Sequence, residues 1–235
     1  MKLKMVETRN VLAIKELMQN IQNRSEQVPG LGLVYGCTGY GKTRAAVWYA
    51  VHNSSIYVRA KEIWTPAWML RDISYELGVY AYSSTERCFL QLQKTIAERK
   101  KLIIIDQADY IEKKNKLLNT IMDLYDYTAV PFVLVGTEEL AHRLARHNQF
   151  WRRTSQVAMM QPLGKEEVTQ VAEELCGLEV QDGATQGILQ VTNGSIGEYV
   201  VLLEEMEKGA RQKGQAIIDK SIVELAAKRL MRRGA

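Results

Sequence analysis

Two stretches of the chain carry residue types at spacings that handle phosphate. The first is Gly36-Cys37-Thr38-Gly39-Tyr40-Gly41-Lys42-Thr43, which satisfies the pattern G-x-x-x-x-G-K-[ST]. Its glycines let backbone N–H groups turn toward phosphate oxygens. A helix starting at Lys42 adds unpaired N–H groups and the positive end of its dipole. Lys42 has the reach and the charge for the β- and γ-phosphates, and the Thr43 hydroxyl is a hard oxygen ligand suited to Mg²⁺. All eight residues are predicted to cradle a nucleoside triphosphate, with ATP and Mg²⁺ as the cofactors.

The second stretch is Leu102-Ile103-Ile104-Ile105-Asp106, an apolar run ending in a carboxylate. Asp106 at the end of such a strand is placed to hold Mg²⁺ through water. The next residue is Gln107, where many ATPases of this layout have a glutamate that polarises the attacking water. Glutamine hydrogen-bonds a water but cannot accept its proton, and losing a general base costs about 10²–10⁴ in rate. The expectation is a chain that binds ATP and hydrolyses it poorly. Asp109 is the next acid, two residues on, and need not face the phosphate.

The flanking elements fit this chemistry. Leu31 to Tyr35 is a strand-length apolar run directly before the glycine loop, and Lys42 to Asn53 continues as a helix. Ser55–Ala60, Leu102–Asp106, Pro131–Thr137 and Gln156–Met160 are the other predicted strands; continuous apolar runs suit a parallel sheet covered on both faces. Predicted helices cover Thr8–Gln27 with Thr8 or Asn10 as cap, Trp68–Leu77 after Pro66, Ser84–Arg99 capped by Thr85, Lys113–Thr128 and Glu138–Asn148. After Pro162 only helical spacing remains. The pattern predicts an α/β fold: an N-terminal helix at 1–28, a nucleotide-binding core with a parallel sheet flanked by helices at 29–163, and a small all-helical lid with a basic C-terminal helix at 164–235.

Composition sets the outer bounds. The chain has 235 residues, 46% hydrophobic and 25% charged, with a formal net charge of +4. That is an ordinary globular balance whose weak positive field permits a nucleic-acid partner without requiring one. Three separated cysteines, Cys37, Cys88 and Cys176, have no metal-ligand spacing and suit a reduced, cytoplasmic protein. No apolar run is long enough for a membrane span.

Taken in order, Gly36–Thr43, Leu102–Asp109 and Val133-Leu134-Val135-Gly136-Thr137-Glu138-Glu139-Leu140 resemble an AAA+ ATPase. The Phe150-Trp151-Arg152-Arg153 and Gly194-Ser195-Ile196-Gly197-Glu198 segments narrow the resemblance to the transposition regulators of the bacteriophage Mu B, TniB and TnsC type. It covers roughly residues 30 to 205. The resemblance implies a protein that binds ATP, assembles into rings or helical filaments on duplex DNA without reading its sequence, and delivers that DNA to a transposase. It implies that Thr137 is sensor 1, touching the γ-phosphate or the catalytic water, and that Arg152 or Arg153 is an arginine finger for a neighbouring subunit's ATP. The family's sensor 2 arginine has no counterpart here, since Gly194 to Tyr199 offers only Glu198. Residues 1–28 are too short for the separate DNA-binding domain of Mu B. DNA contact therefore falls to the ATPase domain, with Lys113, Lys114 and Lys116 at a helix opening as first candidates. Lys61, with Trp64, is the second, and Lys228, Arg229, Arg232 and Arg233 form a further basic group. Trp48, Trp64, Trp68 and Trp151 are assigned to the core or a subunit interface. Rival readings are a helicase loader or replication initiator of the same fold, a nucleotide-gated scaffold with no DNA role, and a small-molecule kinase.

Overall fold

The computed structural model describes residues 1–2 and 4–233, without the side chains of 231–233. The side chains of Arg232 and Arg233 thus lie outside the described residues. In chain order the elements begin α1 (Arg9–Gln22), β1 (Leu31–Tyr35), α2 (Lys42–His52), β2 (Ile56–Arg59), α3 (Pro66–Glu76), α4 (Thr85–Arg99) and β3 (Ile103–Asp106). They continue α5 (Asp109–Glu112), α6 (Asn115–Thr128), β4 (Phe132–Gly136), α7 (Glu138–Ala145), α8 (Asn148–Trp151) and β5 (Thr154–Met159). The remainder is α9 (Lys165–Cys176), β6 (Glu179–Val180), α10 (Asp182–Thr192), α11 (Ile196–Gln212), β7 (Ile217–Ile218) and α12 (Lys220–Arg233).

Strands β1 to β5 form one parallel sheet in the order β2-β3-β4-β1-β5. Its central strands are the apolar runs of the sequence, and every residue of β3 and β4 is buried. With all strands parallel, the ends of β1, β3 and β4 emerge along one edge. That is where open α/β sheets bind ligands.

The chain divides into two compact units, one of Leu12–Cys37 and Lys42–Met160, the other of Met1–Val11, Thr38–Gly41 and Gln161–Ala235. The first holds the sheet and a core in which Leu33, Ile105, Leu134, Leu118 and Phe150 are buried. The second is helical, packed around Val168, Tyr199, Leu202, Met206 and Ile222. It also contains the parallel pair β6–β7, two residues a strand, too short for periodicity to register.

Local chemistry sets several boundaries differently from the sequence reading. Ser84, not Thr85, caps α4, its Oγ accepting the Arg87 N–H at 3.4 Å. Asn10 lies inside α1 instead of capping it. The predicted helix over Lys113–Thr128 is two helices. Lys113 closes α5, Lys114 has non-helical φ of −129° and precedes α6, and only Lys116 sits in a first turn. The predicted helix over Glu138–Asn148 likewise breaks at Arg146 and His147 between α7 and α8. Trp64 is buried and Trp48 half-buried, whereas Trp68 and Trp151 are exposed at 38% and 44%.

One ion pair anchors the start of the helical unit. Glu167 is 7% exposed and accepts the Arg9 backbone N–H at 2.8 Å, Arg9 Nε at 3.0 Å, Arg9 Nη2 at 2.9 Å and the Gly164 N–H at 2.8 Å. Burial pushes its carboxyl pKa upward, but the hydrogen bonds from Arg9 and Gly164 outweigh this and hold it below the usual 4.5. A depressed carboxylate pKa gives stability that is present above 4.5 and is lost as pH falls through the folded value. Glu167→Gln is therefore expected to cost about 1.5–3 kcal/mol at pH 7, a hydrogen bond to a charged group being worth that much. The deficit should shrink below pH 4.5, as chemical denaturation at several pH values would read.

Candidate nucleotide site

The sheet unit brings Lys42, Asp106, Asp109 and Thr137 to the edge where β1, β3 and β4 end. Lys42 follows the loop after β1 and donates from Nζ to the carbonyls of Gly36 at 2.7 Å and Cys37 at 2.8 Å. Burial lowers its pKa, opposed chiefly by the charges of Asp106 and Asp109. A cation held near carboxylates at the mouth of a glycine loop is matched to a phosphate carrying a divalent ion. Thr43, the next residue, is exposed.

Asp106 ends β3 and is 2% exposed. Its Oδ1 accepts the Gln107 N–H at 2.8 Å and its Oδ2 accepts the Tyr57 hydroxyl at 2.8 Å. Tyr57 lies on the adjacent strand β2, opposite Ile104, which puts it on the same sheet face as Asp106. Burial, then the hydrogen bond to Asp106, drives the Tyr57 phenol far above its usual pKa, so it stays a donor. Each carboxylate oxygen keeps a free lone pair. Together with the Thr43 hydroxyl this makes an oxygen donor set of the kind Mg²⁺ takes, through one or two side chains with water and phosphate completing the shell. No group of three or more His, Cys, Asp or Glu side chains among the described residues forms a self-sufficient metal cage. Nothing in the sequence marked Tyr57, because its role depends on β2 lying beside β3.

Gln107 adopts φ of +55°. This left-handed turn costs a non-glycine residue about 1 kcal/mol or more. It lets the 107 N–H fold back onto Asp106 while the Ala108 N–H reaches the Val135 carbonyl at 3.0 Å. Asp109 then opens α5, and its carboxylate accepts both the N–H and the hydroxyl of Thr137. Asp109 thus faces this edge of the sheet, a point that spacing alone left open. Cys37 is exposed, with Sγ 3.3 Å from Glu138 Oε1.

The loop tip belongs to the helical unit. Gly39 has φ of +87°, and a Cβ there would lie 2.3 Å from Ser195 Oγ. Ser195 caps α11, accepting the Glu198 N–H at 3.2 Å. The Gly197 N–H donates to the Gly39 carbonyl at 3.0 Å, and Ser195 Oγ lies 3.4 Å from the same oxygen. Asn10 Nδ2 donates to the carbonyls of Gln161 at 2.8 Å and Tyr40 at 3.3 Å, and Asn10 Oδ1 accepts the Gln161 N–H at 2.9 Å. In place of a sensor 2 arginine, this unit offers the loop the backbone of a helix start. The Ser195-x-x-Glu198 spacing is the sequence signal that could have found that start; its contact with Gly39 has no local signal.

The remaining predicted residues separate by what already engages them. Arg153 makes a two-pronged pair with Asp126, both contacts at 2.7 Å, and Nη1 donates to the Gln149 carbonyl at 2.8 Å. Arg152, next to it and exposed, has no side-chain ion pair or hydrogen bond among the described residues. Lys114 donates to the backbone carbonyls of Glu62 and Trp64, bracing the loop between β2 and α3. Lys61 pairs with Asp72 at 2.5 Å and lies 5.4 Å from the centre of the Trp68 ring. Lys113 and Lys116 are exposed and unpaired among the described residues. Arg229 donates to Gln212 at 3.1 Å. No helix among the described residues is long and apolar enough to cross a membrane.

Comparison with known proteins gives the family and the fold. A family model described as AAA domain matches residues 24–144, just over half of the chain. The Mu-like prophage FluMu DNA transposition protein B of Haemophilus influenzae is 25% identical over 175 residues, 69% of this chain and 59% of that protein. The chain thus spans well under two thirds of that relative's length. Among solved structures, the Aeropyrum pernix ORC2 protein in its ADPNP–ADP complexes superposes with a TM-score of 0.71 at 15% identity, covering 97% of this chain and 70% of that one. The Aeropyrum pernix ORC1 protein in complex with DNA gives 0.62 at 16% identity, covering 97% and 66%. At these identities the likeness establishes the fold: a parallel sheet flanked by helices with a helical C-terminal part.

Proposed function

The chain belongs to the AAA domain family, and from that premise we propose that it is an ATP-dependent, sequence-nonspecific DNA-binding protein. On this reading it oligomerises on duplex DNA in rings or filaments and delivers that DNA to a transposase. The observation that carries the reading is the similarity to a protein named for DNA transposition over 69% of the chain. The site supports it in detail. Gly36 to Thr43 hold ATP, Thr43 and Asp106 hold Mg²⁺, and Thr137 stands beside the terminal phosphate. Residues 29–163 act as the nucleotide core and 164–235 as its helical lid.

Arg152 is the finger we assign, because it is exposed and unengaged beside the paired Arg153. An exposed ion pair such as Arg153–Asp126 is worth no more than about 1 kcal/mol, so Arg153 serves as a second cation once a neighbour's phosphates approach. Lys113 and Lys116 are the preferred DNA contacts, and Lys61 follows after exchanging Asp72 for phosphate. Lys114 acts as a brace. The replication-initiator reading has the fold likeness behind it but no sequence match of comparable strength, and the scaffold reading has neither. The test is whether unrelated duplexes bind the ATP-loaded chain more tightly than the ADP-loaded chain; binding indifferent to nucleotide removes the reading.

A further inference from the structure

The geometry points to Asp109 as a positioning residue that commits the only hydroxyl proton of Thr137, so that Thr137 acts as an acceptor toward the attacking water and not as a donor toward the γ-phosphate. This inference rests on the nucleotide-switch reading above and deepens it.

Asp109 opens α5 directly after the β3 acid, and Thr137 precedes α7 directly after β4. Asp109 Oδ1 accepts the Thr137 hydroxyl at 2.5 Å and the Thr137 N–H at 3.2 Å, and Oδ2 lies 3.3 Å from the same N–H. An ionised carboxylate can only accept, and a threonine has one hydroxyl proton. With that proton directed at Asp109, the outward side of Thr137 Oγ1 presents lone pairs alone. The oxygens of a triphosphate are acceptors too, so hydroxyl and phosphate have no proton to share. A water molecule has two, and can donate one to Thr137.

The surrounding packing holds this orientation. A Cβ on Gly136 would lie 2.8 Å from Asp109 Oδ2 and 2.4 Å from Leu140 Cδ2, so the glycine makes room for the carboxylate. One turn further along α5, Glu112 accepts from Arg143 Nη1 at 3.0 Å, and Arg143 Nε donates to Glu139 at 2.6 Å. Arg143, braced by Glu139 of its own helix, thereby ties α5 to α7 at a second point beside the Asp109–Thr137 contact. Asp109 has little freedom to turn away, and Thr137 has little freedom to redirect its proton.

The test uses the full chain carrying Gln107→Glu as parent, so that hydrolysis is readable, and compares Thr137→Val, Thr137→Ser and Asp109→Asn. Two quantities are measured: the affinities for ATP and ADP, and the single-turnover hydrolysis rate. Thr137→Val should slow hydrolysis by about 10²-fold, the usual effect of removing one preorganised hydrogen-bonding group. Its preference for ATP over ADP should stay within about twofold of the parent's, because no phosphate contact is lost. Thr137→Ser, which keeps the hydroxyl, should restore the rate to within a few-fold of the parent's. Asp109→Asn replaces a pure acceptor with a group that also donates, and should slow hydrolysis at least about tenfold with ATP affinity kept.

A tenfold or greater loss of ATP-over-ADP preference in Thr137→Val would overturn the inference, since the hydroxyl would then be donating to phosphate. So would an Asp109→Asn rate equal to the parent's. If Asp109→Asn melts early, the Thr137→Val and Thr137→Ser pair decides alone. A parent that binds neither nucleotide defeats the nucleotide-switch reading; a parent that binds and hydrolyses while the Thr137 and Asp109 variants match it defeats only this inference.

Discussion

Lys42→Ala is expected to weaken ATP binding by about 10²-fold or more, which follows from two charge-assisted hydrogen bonds at about 1.5–3 kcal/mol each. The structure places the Lys42 ammonium on the carbonyls of Gly36 and Cys37, at the base of the loop. Those two contacts also hold the loop's shape, so alanine removes both the phosphate partner and a strut. Burial lowers the lysine's pKa, while Asp106 and Asp109 raise it against that trend. Removing the ammonium therefore takes away the side-chain cation that stands beside Asp106 and Asp109, which adds repulsion to the lost attraction. Lys42→Arg should recover little, since a planar guanidinium does not reproduce a compact ammonium between two carbonyls and a phosphate. Equilibrium binding of a fluorescent ATP analogue reads the effect, and wild-type affinity in Lys42→Ala would remove the loop from the nucleotide site.

Gln107→Glu should raise the rate of ATP hydrolysis by about 10²-fold, the lower range for restoring a general base. The backbone asks nothing new of the substitution. Residue 107 holds φ of +55° and donates its N–H to Asp106 whichever side chain it carries. A glutamate there would follow Asp106 directly and supply the carboxylate that can take a proton from the attacking water. ATP affinity should change by no more than a few-fold, because glutamine and glutamate have the same size and neither is asked to bind phosphate. If ATP glues subunits together, the same substitution should shorten the lifetime of assemblies on DNA once Mg²⁺ is added. Turnover equal to that of the unsubstituted chain would mean that position 107 does not address the water.

What was legible in the sequence followed the range of the interactions involved. The loop and its flanking strand and helix were readable because their signals are local: a glycine spacing, an apolar run before it, a helical pattern after it. The same holds for β3 and β4, whose runs are buried on both faces. The break between α5 and α6 was not, since Ile111 and Leu118 both point inward and their seven-residue spacing carries a helical pattern across Lys113 and Lys114. The left-handed turn at Gln107 had no residue signal, glutamine being no usual marker of positive φ. Tyr57 on Asp106 and Asp109 on Thr137 depend on which strands lie side by side, β2 with β3 and β3 with β4. Spacing along the chain does not give that order. Residue type suggested four lysines for DNA, while the structure engages Lys61 and Lys114 and leaves Lys113 and Lys116 unpaired among the described residues.

The central claim is that ATP licenses the chain to hold DNA, and a titration of labelled duplexes of unrelated sequence tests it most directly. With ATP and Mg²⁺, binding should be tight, cooperative and equal across sequences; with ADP it should be much weaker. If Lys113 and Lys116 each neutralise one phosphate, with Lys61 still on Asp72, a fourfold rise in salt should cost each subunit about tenfold in affinity. Lys113→Ala with Lys116→Ala should flatten that slope and leave ATP binding intact. Equal affinity with ATP, with ADP and without nucleotide would contradict the account.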